Sequence, residues 1–156
     1  MSNFLTNWRH LIRRFLTSLS QRMPTTDDIA WVKEMLLVNE FKLWNRMKPF
    51  DQRHSIEVAR RFTDSYPLFT RDQVAAALLH DVGKIESDLG VLRRVVATIV
   101  GPVGTKFRSY HDHESIGCNL CHVAGSTSET LRLLNWTEES SRNDLVVVFL
   151  RQADEI

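Results

Sequence analysis

The sequence predicts an all-α protein, and three observations support this fold class. Apolar residues recur at helical spacing in several segments. Thr70 with Gln73 and Ser126 with Glu129 have the spacing of capping boxes, which satisfy backbone groups where a helix begins. Patterns of alternating apolar and polar residues, which are typical of strands, are rare. With 156 residues, 43% hydrophobic and 25% charged, the chain has the composition of one ordinary globular domain.

Residues 1–24 are predicted to form an N-terminal arm that contains a basic amphipathic helix. Its apolar stripe consists of Phe4, Leu5, Trp8, Leu11, Ile12, Phe15, Leu16 and Leu19, and Arg9, Arg13 and Arg14 lie off this stripe. Most such stripes pack on the domain that carries them, and binding to a membrane surface is the less favoured alternative. Pro24 and the polar residues after it end the arm and cap the next helix.

The remaining residues, 25–156, are predicted to form one helical domain. Turn and capping residues divide it into helices over about 29–47 (one or two helices), 52–63, 71–81, 91–100, 113–122 and 131–134. Asp51 is expected to cap the helix over 52–63. The last segment, Leu145–Leu150, contains three consecutive valines, which favour a strand when taken alone.

The distribution of charge gives no reason to expect binding to nucleic acid. The net charge is +1, but four of the twenty basic residues precede Asp27, so that 16 basic and 19 acidic residues leave 27–156 at −3. We therefore expect no specific recognition of DNA. No apolar stretch has the length of a membrane-spanning helix, and no secretory signal is evident, so we expect a cytoplasmic location.

The most informative feature is the pair His80-Asp81, which follows the apolar run Val74–Leu79. Six consecutive apolar residues are expected to be buried on all sides, and Gly83 is expected to close the helix in the left-handed conformation. An aspartate in the last turn of a helix faces the negative end of the helix dipole. A bound cation would correct this unfavourable position.

Four residues are candidate metal ligands: His54, His80, Asp81 and Asp154. This mixed set of nitrogen and oxygen ligands suits Mn, Fe, Co, Ni, Zn or Mg. Asp81 and Asp154 both come shortly after segments that must be buried, where an unpaired carboxylate is costly. Their spacing alone does not bring His54 and Asp154 to the His80-Asp81 pair.

The order of these residues resembles the HD-domain metal-dependent phosphohydrolases, which have a histidine, a later His-Asp pair and a final aspartate. The residues that carry the resemblance are His54 in Gln-Arg-His-Ser, His80-Asp81 in Leu-Leu-His-Asp-Val-Gly-Lys, and Asp154 in Arg-Gln-Ala-Asp. The resemblance covers roughly residues 50–156 and implies an HD-domain-like helical bundle in which these side chains hold one divalent metal ion. It also implies that Leu145–Asp154 is helical, against the preference of the valines.

The resemblance implies hydrolysis of a phosphomonoester or phosphodiester of a small molecule, with nucleotides among the candidates. A divalent ion acidifies water and polarises a phosphoryl oxygen. Asp81 and Lys84 are the candidate catalytic residues, and Lys84, Arg53 and His113 are the candidate substrate contacts. A structural charge at Lys84 and a helix cap at His113 are the alternatives for these two residues. The alternative function is a nucleotide-sensing or regulatory module that binds without turnover.

The sequence favours one metal ion over two. Subgroups of this family that hold two metals carry further histidines between the His-Asp pair and the final aspartate. His113 stands at a familiar place for one of them. Over 134–141, where the next ones are expected, the chain has Trp136 and acidic residues instead.

The stretch Cys118-Asn-Leu-Cys121-His122 is a competing motif, since it has the spacing for covalent attachment of c-type haem. A haem protein is therefore the third hypothesis, with His122 as axial ligand. Haem attachment normally needs export, for which the sequence has no signal, and zinc would need a fourth ligand. Packing of the cysteines as small apolar side chains is the favoured interpretation.

Overall fold

The computed structural model describes residues 22–86, 113–136 and 143–155. Its helices are α1 (Thr26–Met35), α2 (Val38–Trp44), α3 (Pro49–Ser65), α4 (Arg71–Leu79), a 3-10 helix (Val82–Glu86), α5 (His113–Ala124), α6 (Ser128–Leu134) and α7 (Leu145–Glu155). These ranges contain no strand, so the predicted all-α class is confirmed. None of their helices is long and apolar enough to cross a lipid bilayer. The predicted N-terminal helix and the helix over 91–100 lie outside the described residues.

Helix α4 lies at the centre of the described fold, as its apolar sequence predicts. It packs against α1, α2, α3 and α6, and every residue from Gln73 to Leu79 is buried. The predicted capping box is present, because Thr70 and Gln73 bind each other's backbone N–H groups. The buried helix therefore brings the pair that follows it, His80-Asp81, to the edge of the core.

The chain leaves α4 through the 3-10 helix, and the expected left-handed conformation of Gly83 is wrong. Among the described residues, only Gly125 has a positive φ, of 83°. Gly83 lies instead where α5 packs closely on the 3-10 helix. A Cβ atom on Gly117 of α5 would lie 3.1 Å from the Gly83 nitrogen. The absence of a side chain at Gly117 lets α5 pack closely on the segment that follows Asp81.

Helix α7 contains the valine run, and the structure confirms that it is helical. Val146 and Val147 are buried in the core, and α7 packs along α3. Arg61 of α3 donates a hydrogen bond of 3.0 Å to the carbonyl oxygen of Ala153. Packing against α3 therefore overrides the strand preference of the valines.

Two of the predicted helix starts are displaced. Asp51 does not cap α3 but lies in its first turn, because the helix already begins at Pro49. Proline suits this first position since it has no N–H group to satisfy. For α6 the N-cap is Thr127 rather than Ser126, and the Thr127 hydroxyl accepts a hydrogen bond from the Thr130 N–H.

Candidate metal centre

Side chains from three segments meet beside α4. Helix α3 supplies His54, the junction of α4 with the 3-10 helix supplies His80 and Asp81, and α7 supplies Asp154. His54 Nε2 donates to Asp154 Oδ1 at 3.0 Å, and His80 Nε2 lies 3.5 Å from both Asp154 Oδ1 and Asp81 Oδ2. Ligand atoms of His54, His80 and Asp81 all lie within 4.8 Å of one another. The structure thus brings together all four residues that the sequence singled out.

The hydrogen bonding of His80 fixes which of its ring nitrogens faces the cluster. Nδ1 lies 2.7 Å from the Ala77 carbonyl oxygen, which can only accept, so Nδ1 carries a hydrogen. Nε2 is buried and has no hydrogen-bond partner among the described residues. The two carboxylates beside Nε2 favour a proton there in the metal-free ring, and a bound cation would take the place of that proton. A buried imidazole nitrogen beside two carboxylates fits a divalent cation, because metal-bound histidines usually donate their other N–H to a carbonyl or carboxylate.

Ring packing holds the two imidazoles in place. Phe50, one turn before His54 on α3, stacks on the His54 ring with an interplanar angle of 4° and centroids 6.3 Å apart. The His54 and His80 rings meet edge to face at 5.5 Å. Rotation of either imidazole would disturb these contacts, so the nitrogen positions are set before any ligand arrives.

The charges of the cluster are mutually stabilising. Burial by itself lowers the pKa of His80, but the carboxylates of Asp81 and Asp154 outweigh burial and raise this pKa to about 9. Burial acts to raise the pKa of Asp81, whereas His80 and Lys84 lower it to about 2. The pKa of Asp154 is also lowered, because its contacts with His54 and His80 outweigh its burial. Both carboxylates are therefore ionised at neutral pH and attract a cation.

Lys84 lies one turn after Asp81, and its ammonium group donates a hydrogen bond to Asp81 Oδ2. Both side chains are mostly buried. This ion pair gives Lys84 a structural role as a counter-charge of Asp81. Lys84 also lines the cavity beside the cluster, where its charge faces any ligand that enters.

A cavity of about 210 Å³ opens beside the cluster. Its charged and imidazole lining residues are His80, Asp81, Lys84, Arg151 and Asp154, and its remaining lining residues are Val58, Ala76, Ala77, Leu133, Leu134, Trp136 and Leu150. Apolar walls with a few convergent polar groups are typical of small-molecule sites. Three of the four candidate ligands, His80, Asp81 and Asp154, therefore line a cavity that can hold a small anion with an organic group.

Arg151 and Trp136 line this cavity, and the sequence interpretation did not assign either of them to the site. The Arg151 guanidinium carbon lies 5.0 Å from the centroid of the Trp136 ring. One signal for Arg151 was available, since it precedes Asp154 by three residues and therefore shares its face of a helix. Trp136 follows α6 in a segment without helical periodicity, so its position depends on the tertiary fold.

Of the other two predicted substrate contacts, the structure describes the side chain of Arg53 only. Arg53 donates a hydrogen bond to the carbonyl oxygen of Arg22 and is not among the cavity-lining residues. His113 is the first residue of α5, and its side chain lies outside the described part of the chain.

The residues of the haem-like motif have different environments. Cys121 is fully buried in the core, Cys118 is half-buried and His122 is exposed. Burial, aided by the negative charge of Glu40, raises the pKa of the Cys121 thiol to about 12. Within the described ranges these three side chains do not form a metal-binding group. Cys121 packs as a small apolar residue.

The arrangement combines two imidazoles, two ionised carboxylates and a lysine, and all of these except His54 line the cavity. It can hold one divalent cation and place an anion beside it. Comparison of the chain with protein-family models, with curated proteins and with solved structures gives no match, so its function is inferred from the site.

Proposed function

We propose that this protein is an HD-type phosphohydrolase that uses one divalent metal ion to cleave a phosphoester of a small molecule. The observation that carries the proposal is the convergence of His54, His80, Asp81 and Asp154 around the buried Nε2 atom of His80. In this proposal α3, α4 and α7 belong to an HD-type helical bundle. The residues follow the order His, His-Asp, Asp that the sequence shares with this family.

Each polar residue has a distinct role in the proposed reaction. His54, His80, Asp81 and Asp154 hold the ion, which when bound polarises a phosphoryl oxygen and acidifies water. Asp81 also orients the attacking water, because an ionised carboxylate accepts its hydrogen bond. Lys84 neutralises negative charge on the phosphoryl group as a point cation.

Metal content is the first test of the proposal. The purified protein is expected to bind one equivalent of Mn²⁺ per chain in a calorimetric titration. His54→Ala and Asp81→Ala remove ligands and are expected to abolish stoichiometric binding. His122→Ala is the matched control, because His122 is exposed and distant in sequence from the cluster. A wild-type chain without stoichiometric metal, or ligand variants with full metal content, would contradict the proposal.

Turnover is the second test. The metal-loaded protein is expected to release product from at least one member of a panel of aryl phosphates, phosphodiesters and nucleotides. Asp81→Ala is expected to abolish this release, whereas His122→Ala retains it. Tight binding of a nucleotide without product formation would instead support the nucleotide-sensing alternative.

A further inference from the structure

We infer that the cavity selects a phosphomonoester with a compact apolar group, and that Arg151, held against Trp136, binds its phosphoryl oxygens. This inference rests on the proposed function and identifies its substrate class. It assigns recognition of the phosphoryl group to Arg151 and Trp136, which are not candidate metal ligands. Three observations support it: the stacking of Arg151, the balance of charges and the apolar walls.

Arg151 is positioned for binding an anion in the cavity. It lies three residues before Asp154 on α7, and both residues line the cavity. Stacking on Trp136 restricts the guanidinium plane, and a planar guanidinium matches the oxygens of a phosphoryl group. Arg151 also pairs with Glu155 at 3.6 Å, but Glu155 is 66% exposed, and such surface pairs are weak. A phosphoryl group can therefore compete for the guanidinium.

The charges around the cavity match a dianion. The carboxylates of Asp81 and Asp154 balance the two charges of a divalent ion. Lys84 and Arg151 then contribute two further positive charges to the walls. A phosphomonoester carries close to two negative charges at neutral pH, whereas a phosphodiester carries one. Counted over the residues that line the cavity, the monoester therefore balances these charges, and the diester leaves one positive charge that only the exposed Glu155 offsets.

The apolar walls favour an organic substituent on the phosphate. Leu133, Leu134 and Leu150 line the cavity, and an apolar group that covers them gains free energy from burial. The cavity of about 210 Å³ is smaller than the roughly 300–1,000 Å³ of pockets for drug-sized ligands. A compact group such as a single aromatic ring is therefore the expected occupant, and pyrophosphate would leave these walls uncovered.

Binding of stable phosphonates tests the inference without turnover. Phenylphosphonate at about pH 8 resembles a dianionic monoester, and its monomethyl ester resembles a diester. Titration of the Mn²⁺-loaded protein is expected to show at least about tenfold tighter binding of phenylphosphonate than of its monomethyl ester. Phenylphosphonate is also expected to bind about tenfold more tightly than methylphosphonate, because its ring covers the leucine wall.

Variants of Arg151 and Trp136 test whether these residues bind the phosphonate. Arg151→Met is expected to weaken phenylphosphonate binding by about ten- to a hundredfold, and to leave the Mn²⁺ affinity unchanged. Arg151→Lys restores only part of this loss, since lysine keeps the charge but not the planar fork. Trp136→Phe keeps an aromatic ring beside Arg151 and is expected to bind phenylphosphonate more tightly than Trp136→Leu.

Arg60→Met is the matched control, because Arg60 lies 4.8 Å over the ring of Trp31 and is not among the cavity residues. Like Arg151→Met, it removes an arginine that lies over a tryptophan ring. It is expected to leave the affinities for Mn²⁺ and for phenylphosphonate unchanged. Equal affinity for phenylphosphonate and its monomethyl ester, or wild-type affinity in Arg151→Met, would overturn the inference alone. A chain that binds no Mn²⁺ would overturn the proposed function itself.

Discussion

The position of each ligand atom depends on contacts that its own residue makes outside the cluster. His80 donates through Nδ1 to the backbone of α4, and the ring of His54 is stacked on Phe50. Asp154 follows Ala153, whose carbonyl oxygen is bound by Arg61. These supporting contacts orient the side chains toward one point, which is what a metal site requires of its surroundings.

Asp154→Asn tests the charge of the last ligand at nearly constant shape. The asparagine keeps an oxygen near His54 and His80 but removes a negative charge that balances the cation. We expect the Mn²⁺ affinity to fall at least about a hundredfold, since loss even of outer contacts costs about ten- to a hundredfold. Calorimetry measures the affinity, and exposed Asp64, changed to Asn, is the control. Unchanged affinity in Asp154→Asn would remove this residue from the ligand set.

Cys121 leads to a prediction about pH. Its folded pKa of about 12 lies above its ordinary value of 9.0. The stabilisation from the neutral buried thiol is therefore complete below about pH 9 and is lost as the pH rises toward about 12. In urea unfolding at about pH 8 and pH 10.5, the wild type and Cys118→Ala are expected to lose more stability with rising pH than Cys121→Ala. Equal losses in all three proteins would show that the thiol does not titrate in this way.

The sequence could identify the metal-ligand candidates because their residue types and order form a pattern. It could not place Trp136 or Arg151 in the cavity, because stacking of two side chains from separate segments leaves no local signature. It also could not decide whether Lys84 contacts the phosphate or is a structural charge. The structure shows the pair with Asp81, and the phosphate contact remains a prediction.

At the scale of elements, the contact of α5 with the 3-10 helix controls the segment that carries Asp81. A Cβ atom built on Gly117 would lie 3.1 Å from the Gly83 nitrogen, so the two backbones are close together. Val82 is fully buried beside them. A Cβ atom at Gly117 would be in tighter than ordinary contact with the Gly83 nitrogen, so the 3-10 helix must shift by a few tenths of an ångström to accept it. The ligand pair is only two residues away from this contact.

Gly117→Val is expected to lower the free energy of unfolding by about 2 kcal/mol or more, because a branched side chain cannot fit against the Gly83 backbone. It is also expected to weaken Mn²⁺ binding, and Gly117→Ala does so to a smaller extent. Gly125→Ala is the control, since strain at its positive φ costs stability without touching the site. Stability is measured by urea unfolding and metal affinity by calorimetry. Equal Mn²⁺ affinities in the Gly117 and Gly125 variants would contradict this coupling.

Element types were predictable where local and tertiary preferences agree. Thr70 and Gln73 form the predicted capping box because the motif is entirely local. The valines at the start of α7 favour a strand locally, and only packing on α3 makes them helical. The prediction that Gly83 closes the helix in the left-handed conformation was wrong. The sequence alone does not show which backbone conformation a glycine adopts.

At the scale of the molecule, metal binding should be linked to global stability. An ion that binds only the folded state adds about 2.7 kcal/mol at a free concentration a hundred times its Kd. For a chain of this length we expect Mn²⁺ at that concentration to raise the Tm by about 5–10 °C. Thermal unfolding of the wild type and His54→Ala, with and without Mn²⁺, measures the effect. An equal rise in His54→Ala would place the stabilising site elsewhere.

The arrangement of the helices was less predictable than their presence. The burial of Val74–Leu79 follows from an unbroken apolar run, so the central place of α4 could be anticipated. The approach of His54 to Asp154, which are 100 residues apart in sequence, could not be derived from periodicity. The family resemblance implied it, and the structure describes the contact.

Helix α7 supplies Asp154 to the cluster and Arg151 to the cavity wall, and it is held to α3 by a few apolar side chains and the Arg61 bond. A local opening that lifts this one helix would expose the cavity and dismantle the ligand set in the same event. The amide hydrogens of α7 should therefore exchange with solvent at the rate at which the site loses its geometry. Ligands that close the cavity should slow that exchange in α7 more than in α1.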